Sequence, residues 1–297
     1  MKHNLKVTAI IVLMFLITQF IGLYVVNYYS EKALPYGMGM PEVQEQDYTP
    51  NFISIIIAFV IAICFLFFLT KFKAKFFLRI WFFFVVMVAL GMSFIAILDP
   101  VLPPFQYISI MVLIIALPFA LSKIVSRNIL THNFTELLIY PGIAAVFVPL
   151  LNIIYLSALL VLISLYDAWA VWKSGIMQKI AKYQMNEMKV FGGFLIPYLS
   201  KAQRNKFKKL KMSKSKDSKK EIKVNVAILG GGDVIFPIIA SGVMLKTLGV
   251  WPAVLVIVGA LLGLSYLLVF GKKKMYPAMP FISAGIFLMI GISYLIW

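Results

Sequence analysis

Two aspartates, Asp167 and Asp233, lie inside long apolar stretches of the chain. A charged side chain at the centre of a bilayer costs at least about 2.5 kcal/mol, so such residues usually pair with each other or mark a functional site. Two carboxyl groups held close together cannot both ionise, and they share one proton over a wide pH range. The ionised group can take a proton from water while the other donates to the carbonyl that the water attacks. If the two side chains meet, they predict acid–base hydrolysis inside a membrane.

The composition places the chain in a bilayer. Of its 297 residues, 62% are hydrophobic and 13% are charged, whereas a soluble domain is about 45–50% apolar and about 25% charged. One cysteine and two histidines exclude an internal disulfide framework and are too few for a zinc or iron–sulfur site, so we expect no cofactor and no metal. The net charge of +17 fits basic cytoplasmic loops better than nucleic-acid binding, and no nucleic-acid partner is expected.

Apolar segments define the expected architecture, because a helix of about 20 residues crosses the hydrocarbon core. The run from 135 to 172 would be about 57 Å long as a single helix, so it must fold back, and Pro149 and Asn152 mark the turn. A second long apolar run, from 226 to 270, is likewise divided by Lys246, Gly249 and Pro252. We predict an all-α, polytopic membrane protein with a single domain over residues 1–297 and nine transmembrane helices: Leu5–Val26, Phe52–Thr70, Phe76–Leu98, Tyr107–Ser122, Thr135–Leu150, Ile153–Trp172, Val226–Leu245, Trp251–Phe270 and Tyr276–Trp297.

The basic residues indicate the orientation of these spans. With nine spans, 26 of the 28 Lys and Arg residues fall on one side, and only Lys32 and Lys246 fall on the other. Because Lys and Arg concentrate in cytoplasmic loops, the amino terminus is predicted to be cytoplasmic and the carboxyl terminus to lie outside. The loop 173–223 carries fifteen basic and three acidic residues. We interpret it as a largely disordered cytoplasmic tether, with contact to anionic lipids as the alternative, and expect its apolar patch Val190–Leu199 on the membrane surface.

The two aspartates are predicted at the same depth. Asp167 precedes Lys173 by six residues, about 9 Å along a helix, and Asp233 follows Lys223 by ten, at most about 15 Å. They would lie in the inner half of the bilayer on consecutive antiparallel helices. They are the only carboxylates placed inside predicted spans, because Glu136 is expected to cap the start of the fifth. A hydrogen bond that merely joins two helices is the structural alternative.

Irregular backbone is expected near both acids. Gly230, Gly231 and Gly232 precede Asp233, and glycine is a poor helix former. Non-helical backbone at membrane depth is tolerated only where it lines a cavity or is buried in protein. The segment Pro277-Ala278-Met279-Pro280 lies at the inner end of the last span, where its prolines would leave backbone carbonyls free to pair with an extended peptide. These features favour a site that water and a peptide can reach.

Other hydrolytic chemistries lack their residues. A zinc peptidase would carry HExxH on a helix, and the chain has no such motif. A serine–histidine pair would need a histidine inside a span, and His3 and His132 both fall outside the predicted spans.

Three short motifs carry a family resemblance. Tyr166-Asp167, Gly230–Asp233 and Pro277–Pro280 are similar to the YD, GxGD and PALP motifs of the presenilin and signal-peptide-peptidase family of intramembrane aspartyl proteases, in the same order and in spans six, seven and nine. The resemblance implies that Asp167 and Asp233 are catalytic, that Tyr166 neighbours the site, and that Pro277–Pro280 shape it and hold unfolded substrate. Gly231 and Met279 stand where eukaryotic presenilins and the PALP motif have leucine.

The resemblance also implies the substrates. A cytoplasmic amino terminus is similar to that of presenilin, so preferred substrates would be transmembrane helices with their amino termini outside. The compact loops suggest a minimal microbial homologue, in the plasma membrane and in contact with its lipids. Its oligomeric state is left open: Gly259 and Gly263 form GxxxG, for which packing within the bundle is favoured over dimerisation.

Two other classes of function remain open at this point. Paired acids in broken helices also serve proton-coupled transporters and cation channels. A non-catalytic membrane scaffold or chaperone is the third alternative. The chain shows no internal repeat of the kind that transporters often carry, and the three motifs together favour the protease.

Overall fold

The computed structural model describes residues 5–38, 48–71, 75–103, 106–125, 128–174, 191–198, 225–271 and 276–297. Within these ranges the chain is mainly helical, with one small antiparallel sheet. The elements, in chain order, are α1 (Leu5–Ser30), α2 (Tyr48–Lys71), α3 (Lys75–Leu98), α4 (Ile108–Val125), α5 (Ile129–Phe147), α6 (Ile153–Trp169), β1 (Gly193–Tyr198), β2 (Asn225–Gly230), α7 (Gly231–Leu248), α8 (Val250–Phe270) and α9 (Met279–Ile296).

Eight of these helices, all except α2, are long and apolar enough to cross a membrane. Helix α2 coincides with the predicted second span, and its shorter apolar part covers Tyr48–Ala62. The chain is therefore an integral, multi-pass membrane protein, as the composition predicts.

Both expected breaks between spans are confirmed. After α5, a 3-10 turn at Val148–Leu150 reverses the chain, and the Asn152 side chain caps α6 by accepting a hydrogen bond of 2.9 Å from the Tyr155 N–H. Between α7 and α8, Gly249 has a φ of +93°, a conformation that residues with a side chain rarely adopt.

The predicted start of the seventh span at Val226 is wrong, and the chain, although mainly helical as predicted, also contains a small two-stranded sheet. Residues Asn225–Gly230 form β2, and α7 begins only at Gly231. Strand β2 pairs with β1, with Phe194 opposite Leu229 and Ile196 opposite Ala227. A short apolar run does not distinguish a strand from a helix, and the glycines that follow do not favour extending a helix backwards.

The apolar patch Val190–Leu199 is not simply a membrane-surface segment, because β1 occupies most of it. Phe194 and Ile196 are almost completely buried in the core. The rest of the loop 173–223, apart from 173–174 and 191–198, lies outside the described residues.

Helix α5 begins six residues before the predicted fifth span. Asn128 is its N-cap, accepting a 2.9 Å hydrogen bond from the Leu130 N–H, so the helix includes both His132 and Glu136. The expectation that Glu136 caps this helix is wrong, because Asn128 is the N-cap and Glu136 lies two turns further along. It is buried and forms an ion pair with Lys123 of α4. Asp167 and Asp233 are therefore not the only acids in the spans. Lys123, which the predicted fourth span Tyr107–Ser122 leaves in a loop, lies in α4.

The glycines of the GxxxG pair lie against α9. A side chain at Gly259 would overlap the carbonyl of Gly285, and one at Gly263 would overlap the carbonyl of Phe281. Small residues of this kind let two helix backbones approach closely. Because Phe281 lies in the first turn of α9, this contact also sets the position of the Pro277–Pro280 segment.

We expect Gly263→Ala to lower the stability of the protein by about 1–3 kcal/mol, because α9 must move away to admit the methyl group. Gly291→Ala in α9 is the matched control, since an added Cβ meets nothing within 4 Å there. Thermal unfolding in detergent measures both. Equal unfolding temperatures for the two variants would contradict the close α8–α9 contact.

Candidate active site

Asp167 lies in the last turn of α6, with only 7% of its surface exposed. A π-helical turn, Ala170–Ser174, follows directly. Such wider turns are rare and often occur at functional sites. The adjacent Tyr166 is half-buried, and its ring packs against Trp169 with the centroids 6.4 Å apart.

The amino terminus of α9 holds the Asp167 carboxylate. The Met279 N–H donates a hydrogen bond of 3.1 Å to Asp167 Oδ2, and the Ala278 N–H also faces this carboxylate. Helix α9 has no side-chain cap of its own, and Pro280 occupies its first turn. Because the first N–H groups of a helix lack partners within it, a carboxylate from another helix satisfies them favourably. The structure thus joins two of the predicted motifs, Tyr166-Asp167 and Pro277–Pro280.

Asp233 lies in the first turn of α7 and is half-buried. The glycines before it are explained by close contacts. A Cβ on Gly230 would lie 3.3 Å from Asp233 Oδ2, and one on Gly231 would lie 2.8 Å from the Tyr140 hydroxyl. Gly232 is exposed. The glycine turn therefore lets the Asp233 carboxylate and the Tyr140 ring approach the backbone closely.

The three helices that carry the motifs contact one another. Helix α6 packs against both α7 and α9, and α7 also packs against α9. Asp167 lies at the end of α6 and Asp233 at the beginning of α7, so both acids lie at the helix ends that the intervening segment 175–230 connects. Among the described residues, no three His, Cys, Asp or Glu side chains come together as a metal site would require.

A polar face of α5, which the sequence analysis missed, lies beside this region. His132 Nε2 contacts the Gly193 carbonyl at 2.8 Å. The Asn133 amide both donates to the Leu195 carbonyl (2.9 Å) and accepts from the Leu195 N–H (3.0 Å). The four-residue spacing of His132, Glu136 and Tyr140 would have revealed this face, had the span not been started at Thr135.

The position of His132 also bears on the exclusion of a serine–histidine pair. It lies within α5, so the prediction that no histidine occurs in a span is wrong. Its ring nitrogens contact the Gly193 carbonyl and the Lys123 ammonium. Within the described part of the chain, these contacts give it no serine to activate.

Comparison with known proteins assigns the family. A family model described as "Signal-peptide peptidase, presenilin aspartyl protease" matches residues 12–296. The chain therefore belongs to the signal-peptide peptidase and presenilin family of aspartyl proteases, and the predicted family is confirmed. A search of curated protein sequences finds no match.

Solved structures agree in fold. A presenilin family intramembrane aspartate protease in a C222 space group has a TM-score of 0.62 and 20% identity to this chain, covering 98% of this chain and 99% of that one. A structure described in the same words, in a P2 space group, has a TM-score of 0.61 and 20% identity, covering 97% of both chains. The chain thus has the fold of a presenilin-family intramembrane protease over nearly its whole length.

Proposed function

We propose that this protein is an intramembrane aspartic endopeptidase that cleaves transmembrane segments of membrane proteins with Asp167 and Asp233. One observation carries the proposal: a nearly buried carboxylate, Asp167, is oriented by the Met279 N–H of the Pro277–Pro280 segment, on a helix that packs against the one beginning at the glycine turn of Asp233. Membership of an aspartyl protease family supports the same reading.

The chemistry follows from a shared proton. The ionised carboxylate of the pair takes a proton from water, whose oxygen bonds to the scissile carbonyl carbon. The protonated carboxyl donates its proton to the carbonyl oxygen. The resulting tetrahedral diol then collapses: one hydroxyl returns its proton to the pair as the C–N bond breaks, and the leaving nitrogen receives a proton from the pair. Because the two carboxyls titrate together, we assign these roles to the pair and not to one residue.

An edge of the sheet can hold the substrate. Backbone groups of alternate strand residues point to opposite edges. Since Asn133 occupies both backbone groups of Leu195, residues 194, 196 and 198 face β2, and by the register the odd-numbered residues of β2 face β1. The backbone groups of Val226 and Ile228 then point to the other edge, where the described chain places no third strand.

The outer edge of β2 ends close to Asp233. Gly230 is both the end of β2 and the N-cap of α7, three residues before Asp233. An unwound substrate segment added to β2 would gain main-chain hydrogen bonds and would extend toward the carboxylates. We therefore propose that the substrate is a transmembrane helix, unwound near its scissile bond, with its amino terminus outside.

We expect Ile228→Pro to reduce kcat/KM for a single-span substrate by about five- to tenfold, because it removes an outward N–H worth about 1–1.5 kcal/mol. Proline is tolerated on an edge strand when its missing donor faces outward, so the sheet should persist. Ile228→Val is the control, since it keeps the backbone donor. Unchanged cleavage by the proline variant would contradict strand addition at this edge.

The proposed function also includes an orientation in the membrane. Nine spans with a cytoplasmic amino terminus would put the Asp pair and the basic loop 173–223 on the cytoplasmic side of a plasma membrane. The distribution of Lys and Arg supports this orientation.

The direct test uses the full chain in detergent and a single-span reporter protein. Two fragments whose junction lies within the apolar segment would support the protease. Failure to cut any of several single-span reporters, together with proton or cation flux by the same preparation in vesicles, would favour the transporter or channel.

A further inference from the structure

Three polar side chains form a continuous stripe on α5. His132, Glu136 and Tyr140 are spaced by four residues, which places them on one face of the helix. They contact, in turn, the beginning of β1, the Lys123 ammonium of α4 and the glycine turn that begins α7. The mechanism proposed above uses none of them.

One end of the stripe fixes the sheet. His132 contacts the Gly193 carbonyl, and the neighbouring Asn133 holds both backbone groups of Leu195. Strand β1 is paired along its whole length with β2, which continues into the turn before Asp233. The position of the sheet relative to α5 therefore determines where the chain enters α7.

The middle of the stripe is an ion pair in the protein interior. The side chains of Lys123 and Glu136 are 3% and 1% exposed, and the His132 ring lies 3.6 Å from the same Glu136 oxygen. Removing two charges from water is costly, and well-packed apolar residues often stabilise a fold at least as well. The alternative use of such a pair is to define one arrangement of the helices that carry it.

The other end of the stripe reaches the glycine turn. Tyr140 is 5% exposed, and its ring packs edge-to-face on Phe194 with the centroids 6.0 Å apart. Among the described residues, no group forms a hydrogen bond of good geometry with its buried hydroxyl, which interacts electrostatically with Glu136 and Asp233 and would be 2.8 Å from a Cβ on Gly231. A buried hydroxyl whose hydrogen bonding is incomplete in the resting fold is costly, so packing alone does not account for it.

We propose that Tyr140 is a positioning residue for Asp233. Its ring and hydroxyl hold the Gly230–Gly232 turn in place, and the hydroxyl hydrogen-bonds to this turn or to the Asp233 carboxylate when substrate is bound. The Lys123–Glu136 pair holds the α5 face from which Tyr140 projects. This inference rests on the proposed function, because it gives Tyr140 a role only through a catalytic Asp233.

The test compares Tyr140→Phe with the parent in the reporter assay. Loss of the hydroxyl should lower kcat about tenfold and leave KM unchanged, because Tyr140 acts on the acid and not on the substrate strand. Tyr29→Phe is the matched control: Tyr29 is also 5% exposed, and its hydroxyl donates to the Met92 carbonyl in a separate part of the core. This control should lose stability but keep kcat.

A double-mutant cycle with Gly231→Ala tests the contact itself. The added methyl group would crowd the Tyr140 hydroxyl and ring. If both residues act on the same turn, the effects of Tyr140→Phe and Gly231→Ala on kcat should be non-additive. Strict additivity, or a Tyr140→Phe variant with the parent's kcat, would overturn the proposal.

Hydrogen exchange gives a readout that does not need catalysis. In the inactive Asp167→Asn background with a single-span substrate bound, amides of residues 230–234 should exchange faster when Tyr140→Phe is added than with Tyr140 intact or with Tyr29→Phe added. Unchanged exchange there would overturn the inference even if the parent cleaves the reporter. Conversely, a parent that never cleaves contradicts the proposed function, while the exchange comparison still decides the role of Tyr140.

Discussion

Asp167→Asn and Asp233→Asn should each reduce reporter cleavage by at least about 10³-fold, since an amide can neither take a proton from water nor share one with its partner. The double variant should be no worse than either single variant, because residues that act as a unit are strongly non-additive. The rate of fragment formation, measured at equal concentrations of folded protein, checks both expectations.

Asp99→Asn is the matched control for this pair of variants. Asp99 follows α3 and accepts hydrogen bonds from Lys32 and Tyr28, which lower the pKa of its carboxyl. Its side chain is 25% exposed, and a surface pair of this kind stabilises a protein by about 0–1 kcal/mol. The control should therefore fold and cleave like the parent. Cleavage by either active-site variant at the control's rate would contradict the Asp pair.

Glu136→Gln should lower the free energy of unfolding by about 3–5 kcal/mol, because it leaves the Lys123 ammonium buried without its carboxylate. Lys123→Met should have a similar effect through the stranded Glu136. The double variant Lys123→Met/Glu136→Leu should recover most of the loss, since it removes both charges together. Chemical unfolding in detergent measures all three.

Lys32→Met provides the comparison at the surface. It breaks an ion pair whose lysine side chain is 53% exposed, and it should change the stability by less than about 1 kcal/mol. If Glu136→Gln were as mild as Lys32→Met, or if the double variant were the least stable, the Lys123–Glu136 pair would not have the role in α5 that we assign to it.

The order of the helices could be predicted from the lengths of apolar runs. A run much longer than the hydrocarbon thickness has to turn, and residues such as Asn152 and Gly249 show where. Segment 225–230 was predicted incorrectly because an apolar run adjoining a helix has no periodicity that identifies it as a strand. Its partner β1 lies about 30 residues earlier in the chain, so only the tertiary fold reveals the pairing.

The candidate site was predicted in part. The sequence spacing predicted that Asp167, Asp233 and the Pro277–Pro280 segment would lie at the same end of the bundle. It did not show that the Met279 N–H holds Asp167, because that contact joins residues 112 positions apart. The α5 stripe was missed because polar residues lower the apparent apolarity of a helix end, which moved the expected start past His132.

The most direct measurement is mass spectrometry of the products formed from a single-span substrate in water enriched in oxygen-18. We expect a cut within the apolar segment and one heavy oxygen in the new carboxyl group of the amino-terminal fragment. Neither of the two fragments should form with Asp167→Asn or Asp233→Asn. The same fragments from either variant, or a cut outside the apolar segment, would contradict intramembrane cleavage by Asp167 and Asp233.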